Sequence, residues 1–397
     1  MSGPLAGVQI LDMTAMLSGP FATQALGDMG ADIIKVETPD GDSIRGMGPM
    51  RSRGMGAMFL HANRSKRSIV LDLKQESAKQ ALVRLIKKCD VFICNTRLKA
   101  LQRLGLDYQA LKQLHPSLIY VNIVGYGSTG TYADKPAYDD LIQGAVGIPS
   151  LGASAHGSAR YAPLAIADRI TGMNATSVVL AALYHRLNTG EGQHVEVPMF
   201  ETMAALVLAD HMGGETFEPA LGPPVYERYA AIRRPFPTLD GSLCLMVHTD
   251  KQWQSFFAIA GRNDVLFDPR FSDIGSRTQN VAALYKLVAS ILATRSTTEW
   301  VAALEGVDIP VARLESVESL LSDPHLAAVG FLETIQHPTE GAIRSMATTS
   351  TWSATQPHPT RHTPRLGEHS AEILREAGFS DDEVKQMMAE GSTRGAL

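Results

Sequence analysis

Short apolar runs alternate along the first half of the chain with stretches whose apolar residues recur at helical spacing. The runs at 8–12, 32–37, 68–72, 90–94 and 118–123 are five or six residues long and rich in Ile, Val and Leu, which predicts buried strands. Between them, 20–29 reads as a helix ending at Gly30. In 77–88, Ala81, Leu82, Leu85 and Ile86 mark one face of another. Strand and helix in strict alternation predict an α/β fold with a parallel sheet covered by helices. A long helix over 169–187 carries Gly172, Ala175, Ser177, Ala181 and Ala182, small residues that admit close approach of a second element. A strand at 194–197 and a helix at 200–210 complete a large segment, 1–212. Residues 213–237 are rich in Gly and Pro and read as a linker. A smaller region, 238–330, mixes a strand at 242–247 with helices at 253–260, 281–294 and 316–321, an α+β pattern. In the remainder, 331–397, a polar, Pro-containing stretch at 338–364 has strand potential at most, and helices at 370–377 and 381–390 close the chain.

Composition narrows the functional classes. The chain has 397 residues, 45% of them hydrophobic and 19% charged, a balance that supports large cores. With 36 basic against 41 acidic residues the net charge is -5, which argues against a nucleic-acid partner. The three cysteines, Cys89, Cys94 and Cys244, form no CxxC pair, so a reducing, cytoplasmic setting is expected. The N-terminus lacks the pattern of a signal peptide, and no run approaches the roughly 18 apolar residues of a membrane span.

Motifs exclude more than they assign. No GxGxxG follows the first strand and no GxxxxGK[ST] loop exists, so nicotinamide and nucleoside-triphosphate chemistry lose their main support. His and Cys nowhere cluster at zinc spacing, HExxH is absent, and no GxSxG elbow is present. Ser18-Gly19-Pro20 reads as a turn with Pro at the start of a helix, whose free N–H groups also suit an anion. Asp168 stands where an apolar segment meets the long helix. On the residues alone it is first of all a helix N-cap; the same place, near the positive end of a helix dipole, also suits an ionised carboxylate acting as a nucleophile.

Taken in order, a series of tracts resembles the class III coenzyme A transferases, the family of formyl-CoA:oxalate and carnitine CoA-transferases whose relatives include the α-methylacyl-CoA racemases. These are Leu11-Asp-Met-Thr14, Ser18-Gly-Pro20, Leu26 to Glu37, Gly41-Asp42 with Arg45, Asn63 to Lys74, Leu104 to Tyr108, Pro116 to Tyr120, Gly125-Tyr-Gly127, Tyr138-Asp139, Asp168 to Gly172, Thr189 to Gln193 and Thr238 to Gly241. The resemblance implies a Rossmann-like large domain that binds CoA, with the C-terminal helices packing back on it, and two subunits interlocked as a homodimer. It implies acyl-CoA and carboxylic acid substrates, with no cofactor beyond CoA as substrate and no metal. It also implies that Asp168 attacks the donor thioester to give an anhydride and then an aspartyl-CoA thioester.

For CoA contacts the resemblance points to Met16, Leu17, Asn95, Thr96 and Arg103, and more loosely to Lys35, Arg45, Arg97 and Lys99. The sequence departs from the family pattern at Thr96-Arg97 and at Thr38. Tyr138 and Asp139 are expected to line the site and to hydrogen-bond the acyl oxygen. A racemase carries His where this chain has Tyr138, and a phenol of pKa near about 10 is a poor base; the alternatives to a transferase are a racemase-like isomerase and a non-catalytic CoA-binding protein. The Gly-rich loop of the oxalate enzyme has no counterpart. Arg228, Arg233 and Arg234 are candidates to hold the second carboxylate of a dicarboxylic acid.

Overall fold

The computed structural model describes residues 3–222 and 232–396. Six strands form one parallel sheet: β1 (Gln9–Met13), β2 (Asp32–Glu37), β3 (Lys66–Val70), β4 (Val91–Cys94), β5 (Ile119–Val124) and β6 (His194–Pro198). Their spatial order is β3-β2-β1-β4-β5-β6, with every neighbouring pair parallel. The strand–helix alternation predicts this α/β sheet, and only the edges move. The third strand starts at Lys66 rather than 68, because Lys66 and Arg67 are buried charges that an apolar pattern cannot register.

Both faces of the sheet are covered. Alternation along β1 sends Ile10 to one face and Leu11 to the other. On the Leu11 side lie α2 (Glu76–Ile86) and two C-terminal helices whose Ile373, Leu374, Val384 and Met387 join the same core. On the Ile10 side lie α1 (Ser18–Asp28) and a long helix from Ile166 to Thr189, which contribute Leu26, Ala175 and Val179. Short helices not foreseen from the pattern follow β4 and β5: α3 (Leu98–Leu104), α4 (Tyr108–Leu114) and α5 (Asp139–Ala145). The long helix is α6 (Ile166–Thr189), and α7 (Met199–His211) follows β6.

The chain divides into two compact units, 1–148 with 161–207 and 325–397, and 149–160 with 208–324. The second unit has a small antiparallel sheet of Phe236–Pro237, Ser242–Leu245 and Val311–Arg313, packed with helices through Trp253, Phe256, Phe257 and Trp300. In the first unit, the polar stretch after residue 331 forms an antiparallel hairpin, Leu332–His337 with Gly341–Met346. Its alternation of exposed and half-buried residues is too polar to stand out in the sequence. Among the described residues no helix is long and apolar enough to cross a membrane.

Candidate active site

The strand order reverses at β1. The chain moves outward from β1 to β2 and β3, then returns to place β4 on the other side of β1. Open α/β sheets bind ligands outside the carboxyl ends of the strands at such a switch point. Met13 and Cys94 are the last paired residues of β1 and β4. The two segments leaving them, Thr14 to Leu17 and Asn95 to Arg97, therefore emerge side by side.

The floor of this crevice is ionic. Asp12 is fully buried and accepts from Thr14 N (2.9 Å), Thr14 Oγ1 (2.5 Å), Thr23 Oγ1 (2.6 Å) and Lys66 Nζ (3.1 Å). Burial alone would raise its pKa, but Lys66, Lys35 and the threonine donors outweigh it and hold the carboxyl down at about 2. Lys66, also fully buried, donates to Pro20 O (2.9 Å) and Asn63 Oδ1 (2.8 Å) as well, and burial lowers its ammonium to about 8. Lys35 Nζ reaches Asp42 Oδ2 at 3.0 Å and Thr14 O at 2.9 Å. Arg45 forks onto Glu37 with two 2.7 Å bonds and lies 3.7 Å over the Phe59 ring.

This corrects two expected phosphate ligands. Lys35 is 0% exposed and Arg45 4%, and both are committed to internal carboxylates, so neither faces a phosphate pocket. The Asn95 side chain is also engaged inside the protein, bonding both polar groups of Ala15. Arg97, Lys99 and Arg103 differ. All three are exposed on α3 or its first flanking residue, directly after β4. Among the described residues Lys99 pairs with the exposed Asp134, and Arg103 bonds the carbonyl of Lys99. Thr96 is half-buried beside Arg97. Leu17 is buried in a small cluster with Ile44 and Phe59, against which Met16 packs. Met16 has φ +68°, a left-handed conformation that costs a non-glycine residue about 1–2 kcal/mol.

Asp168 is the third residue of α6, inside its first turn. The N-cap is Ala165, with no side-chain cap, so Asp168 does not fill the capping role that its sequence position suggests. The carboxylate of Asp139 acts across space instead. Its Oδ1 accepts the free N–H of Asp168 at 3.0 Å, and its Oδ2 accepts from Gln143 Nε2 at 2.5 Å. Gln143 is fully buried and fixed by Ala162 N (2.9 Å) and Leu164 O (3.3 Å). Asp139 therefore accepts hydrogen bonds from within the chain at both oxygens. Tyr138, beside it, is 63% exposed.

Ser18, read from the sequence only as part of a turn opening a helix, is buried at the start of α1. Its hydroxyl and N–H both stabilise the Asp168 anion. Two glycines make the approach possible. A Cβ on Gly172, one turn beyond Asp168, would sit 2.7 Å from Ser18 O, and one on Gly19 would sit 2.4 Å from Thr14 Cβ. The first turns of α1 and α6 thus converge at Asp168, adding the positive ends of two helix dipoles. Burial and the neighbouring Asp139 nonetheless dominate and push the Asp168 carboxyl up to about 6, against the donors of Ser18 and the charge of Arg169. The result is a half-buried carboxylate, ionised at neutral pH but incompletely solvated. That is the condition of a nucleophile. The signal in the sequence was the spacing Asp168-x-x-x-Gly172 together with Ser18-Gly19-Pro20.

Comparison with known proteins agrees on one family. The family model described as CoA-transferase family III matches residues 5–370. A succinate–glutarate CoA-transferase of Agrobacterium fabrum is 33% identical over 94% of this chain and 95% of its own. The formyl-CoA:oxalate CoA-transferase of Escherichia coli O157:H7 is 28% identical over 98% of this chain and 99% of its own. The crystal structure of a CAIB/BAIF family protein from Brucella suis superposes with a TM-score of 0.81 at 30% identity, covering 95% of this chain and all of that one.

Proposed function

The chain belongs to CoA-transferase family III and is a CoA-transferase, and we propose that it passes CoA from an acyl-CoA to a carboxylic acid through covalent intermediates on Asp168. The Asp168 carboxylate adds to the donor thioester carbonyl and expels CoA thiolate, leaving a mixed anhydride. The thiolate attacks the aspartyl carbonyl of that anhydride, releasing the donor as its carboxylate and leaving an aspartyl-CoA thioester. The acceptor carboxylate attacks this thioester, giving a second anhydride and free thiolate. Attack of the thiolate on the acceptor carbonyl yields the new acyl-CoA and restores Asp168. The observation that carries the reading is the environment of Asp168: ionised above about pH 6, poorly solvated, and faced by the donors of Ser18.

Arg97 and Arg103 are the proposed holders of the CoA phosphates, being exposed cations beside the crevice. As donor and acceptor we propose short dicarboxylic acids, supported by the relative named for succinate and glutarate. Of the arginines considered for the distal carboxylate, Arg233 and Arg234 are exposed residues of the second unit, and Arg228 lies outside the described residues. We further propose an interlocked homodimer; exposed Met173, Tyr184, Leu187 and Leu206 on α6 and α7 offer apolar surface for a partner.

Trapping tests the chemistry. After incubation with succinyl-CoA, hydroxylamine is expected to convert Asp168 to its hydroxamate, seen by peptide mass spectrometry. Asp168→Ala is expected to give no adduct and to lose about 10⁴-fold or more in transfer rate. Retention of transfer by Asp168→Ala would remove the mechanism. Succinyl-CoA with glutarate should outperform acetyl-CoA with acetate; equal rates would remove the dicarboxylate assignment.

A further inference from the structure

The segment between β1 and α1 is held by side chains at almost every backbone polar group. Thr14 N donates to Asp12 Oδ1 at 2.9 Å, and Thr14 O accepts from Lys35 Nζ at 2.9 Å. Ala15 N donates to Asn95 Oδ1 at 3.0 Å, and Ala15 O accepts from Asn95 Nδ2 at 2.8 Å. Met16 N donates to Asp42 Oδ1 at 3.1 Å. Four side chains from β1, from β2, from the loop after β2 and from the end of β4 thus converge on three residues. Met16, the last of these, holds its left-handed φ of +68°. A non-glycine residue stays in that region only where its surroundings over-determine it. Two residues later Ser18 begins α1, and its carbonyl lies against Gly172, one turn beyond Asp168 on α6.

We propose that Asn95 is a positioning residue of the transfer reaction: by clamping both polar groups of Ala15 it fixes the Thr14–Met16 turn, and through it the Ser18 donors, against the carboxylate of Asp168. Asn95 is singled out because its two bonds are the only tie in this set that crosses from β4 to the turn; the others come from β1, β2 and the loop that follows β2. The inference rests on Asp168 being the nucleophile. It replaces a direct contact between the Asn95 side chain and CoA, since both its polar atoms are already committed.

The test is steady-state kinetics and Asp168 trapping with Asn95→Ala and Asn95→Asp. Misplacing a reacting group by an ångström costs up to about 10²-fold. Asn95→Ala is therefore expected to lower kcat by roughly 10- to 100-fold, with KM for acyl-CoA little changed. Its acid limb should move above that of the wild type, because donors that favour the Asp168 anion have been withdrawn. Asn95→Asp keeps the acceptor for Ala15 N but loses the donor to Ala15 O, and should fall between; it also covers the case in which the alanine variant does not fold. Adding Met16→Gly to Asn95→Ala should recover part of kcat, since glycine holds a positive φ without a clamp. A raised KM with unchanged kcat and acid limb would make Asn95 a CoA ligand and overturn the proposal, as would the absence of any rescue by Met16→Gly. If the wild-type enzyme itself gives no Asp168 adduct, the nucleophile assignment fails instead, and the two failures are distinct.

Discussion

The floor of the crevice, around Asp12, and its mouth, around Asp168, hold the same kind of side chain under opposite conditions. Asp12 is fully buried, yet four donors, one of them the Lys66 ammonium, hold its carboxyl at about 2. Asp168 is less buried, yet its carboxyl sits at about 6 because burial is incompletely answered by donors and another carboxylate, Asp139, stands nearby. Depth therefore does not set reactivity. What matters is how many donors answer the charge. Asp12 has its lone pairs occupied and does structural work by tying β1, α1 and β3 together. Asp168 keeps a charge that its surroundings answer less completely.

Breaking the floor should have the largest effect. Asp12→Ala would leave the Lys66 ammonium buried without its counter-charge, a change that costs about 3–5 kcal/mol. Urea unfolding at pH 7 measures it, and a loss below 1 kcal/mol would show that the ionic floor is dispensable. Acid should act the same way on the wild type. The Asp12 pKa is lower folded than unfolded, so its contribution is present above about pH 4 and disappears as pH falls through about 2.

Much of this contrast lay beyond the sequence for a definite reason. The sheet was legible because parallel strands buried on both faces are apolar runs, as at Ile33-Ile34 and Val91-Phe92-Ile93. The same logic hid the floor. Lys35 and Arg45 read as loose candidates for CoA and Lys66 as one residue of a family tract, since nothing local tells a buried, paired cation from an exposed one; pairing is decided by strand order, which brings residues 12, 35, 42 and 66 together. Asp168 was found through its family motif, but its environment was not: Asp139 and Ser18 lie 29 and 150 residues away and arrive by helix packing through Gly172. Helix starts were also misplaced by a few residues, enough to read Asp168 as a cap.

The mouth should respond in the opposite sense to the floor. The Asp168 pKa is raised in the folded chain, so its contribution to stability is full below the ordinary value of 3.8 and is lost as pH rises through about 6. A shift of about two units corresponds to at most roughly 3 kcal/mol. Asp168→Asn removes this cost. It should be more stable than the wild type at pH 8, by up to about 3 kcal/mol, and the two should converge below about pH 4 while the variant stays inactive. An amide variant less stable at pH 8 would mean that the charge is fully answered in the native state, as at Asp12.

Asp139→Asn is the finest cut, because it removes one of the two causes that raise Asp168 and leaves the other. The amide oxygen can still accept the Asp168 N–H, so the start of α6 is kept. Its nitrogen would face Gln143 Nε2, donor against donor, at a cost of about 1 kcal/mol that lowers global stability and leaves the titration of Asp168 untouched. The acid limb of adduct formation at Asp168 should therefore move below about 6 in this variant. It should stop short of the ordinary 3.8, because burial is the larger cause and remains. A limb that does not move would assign the whole shift to burial and make Asp139 a cap for α6 alone. A limb that falls all the way to the ordinary value would assign it to charge alone, and the difference between floor and mouth would then reduce to a single neighbouring carboxylate.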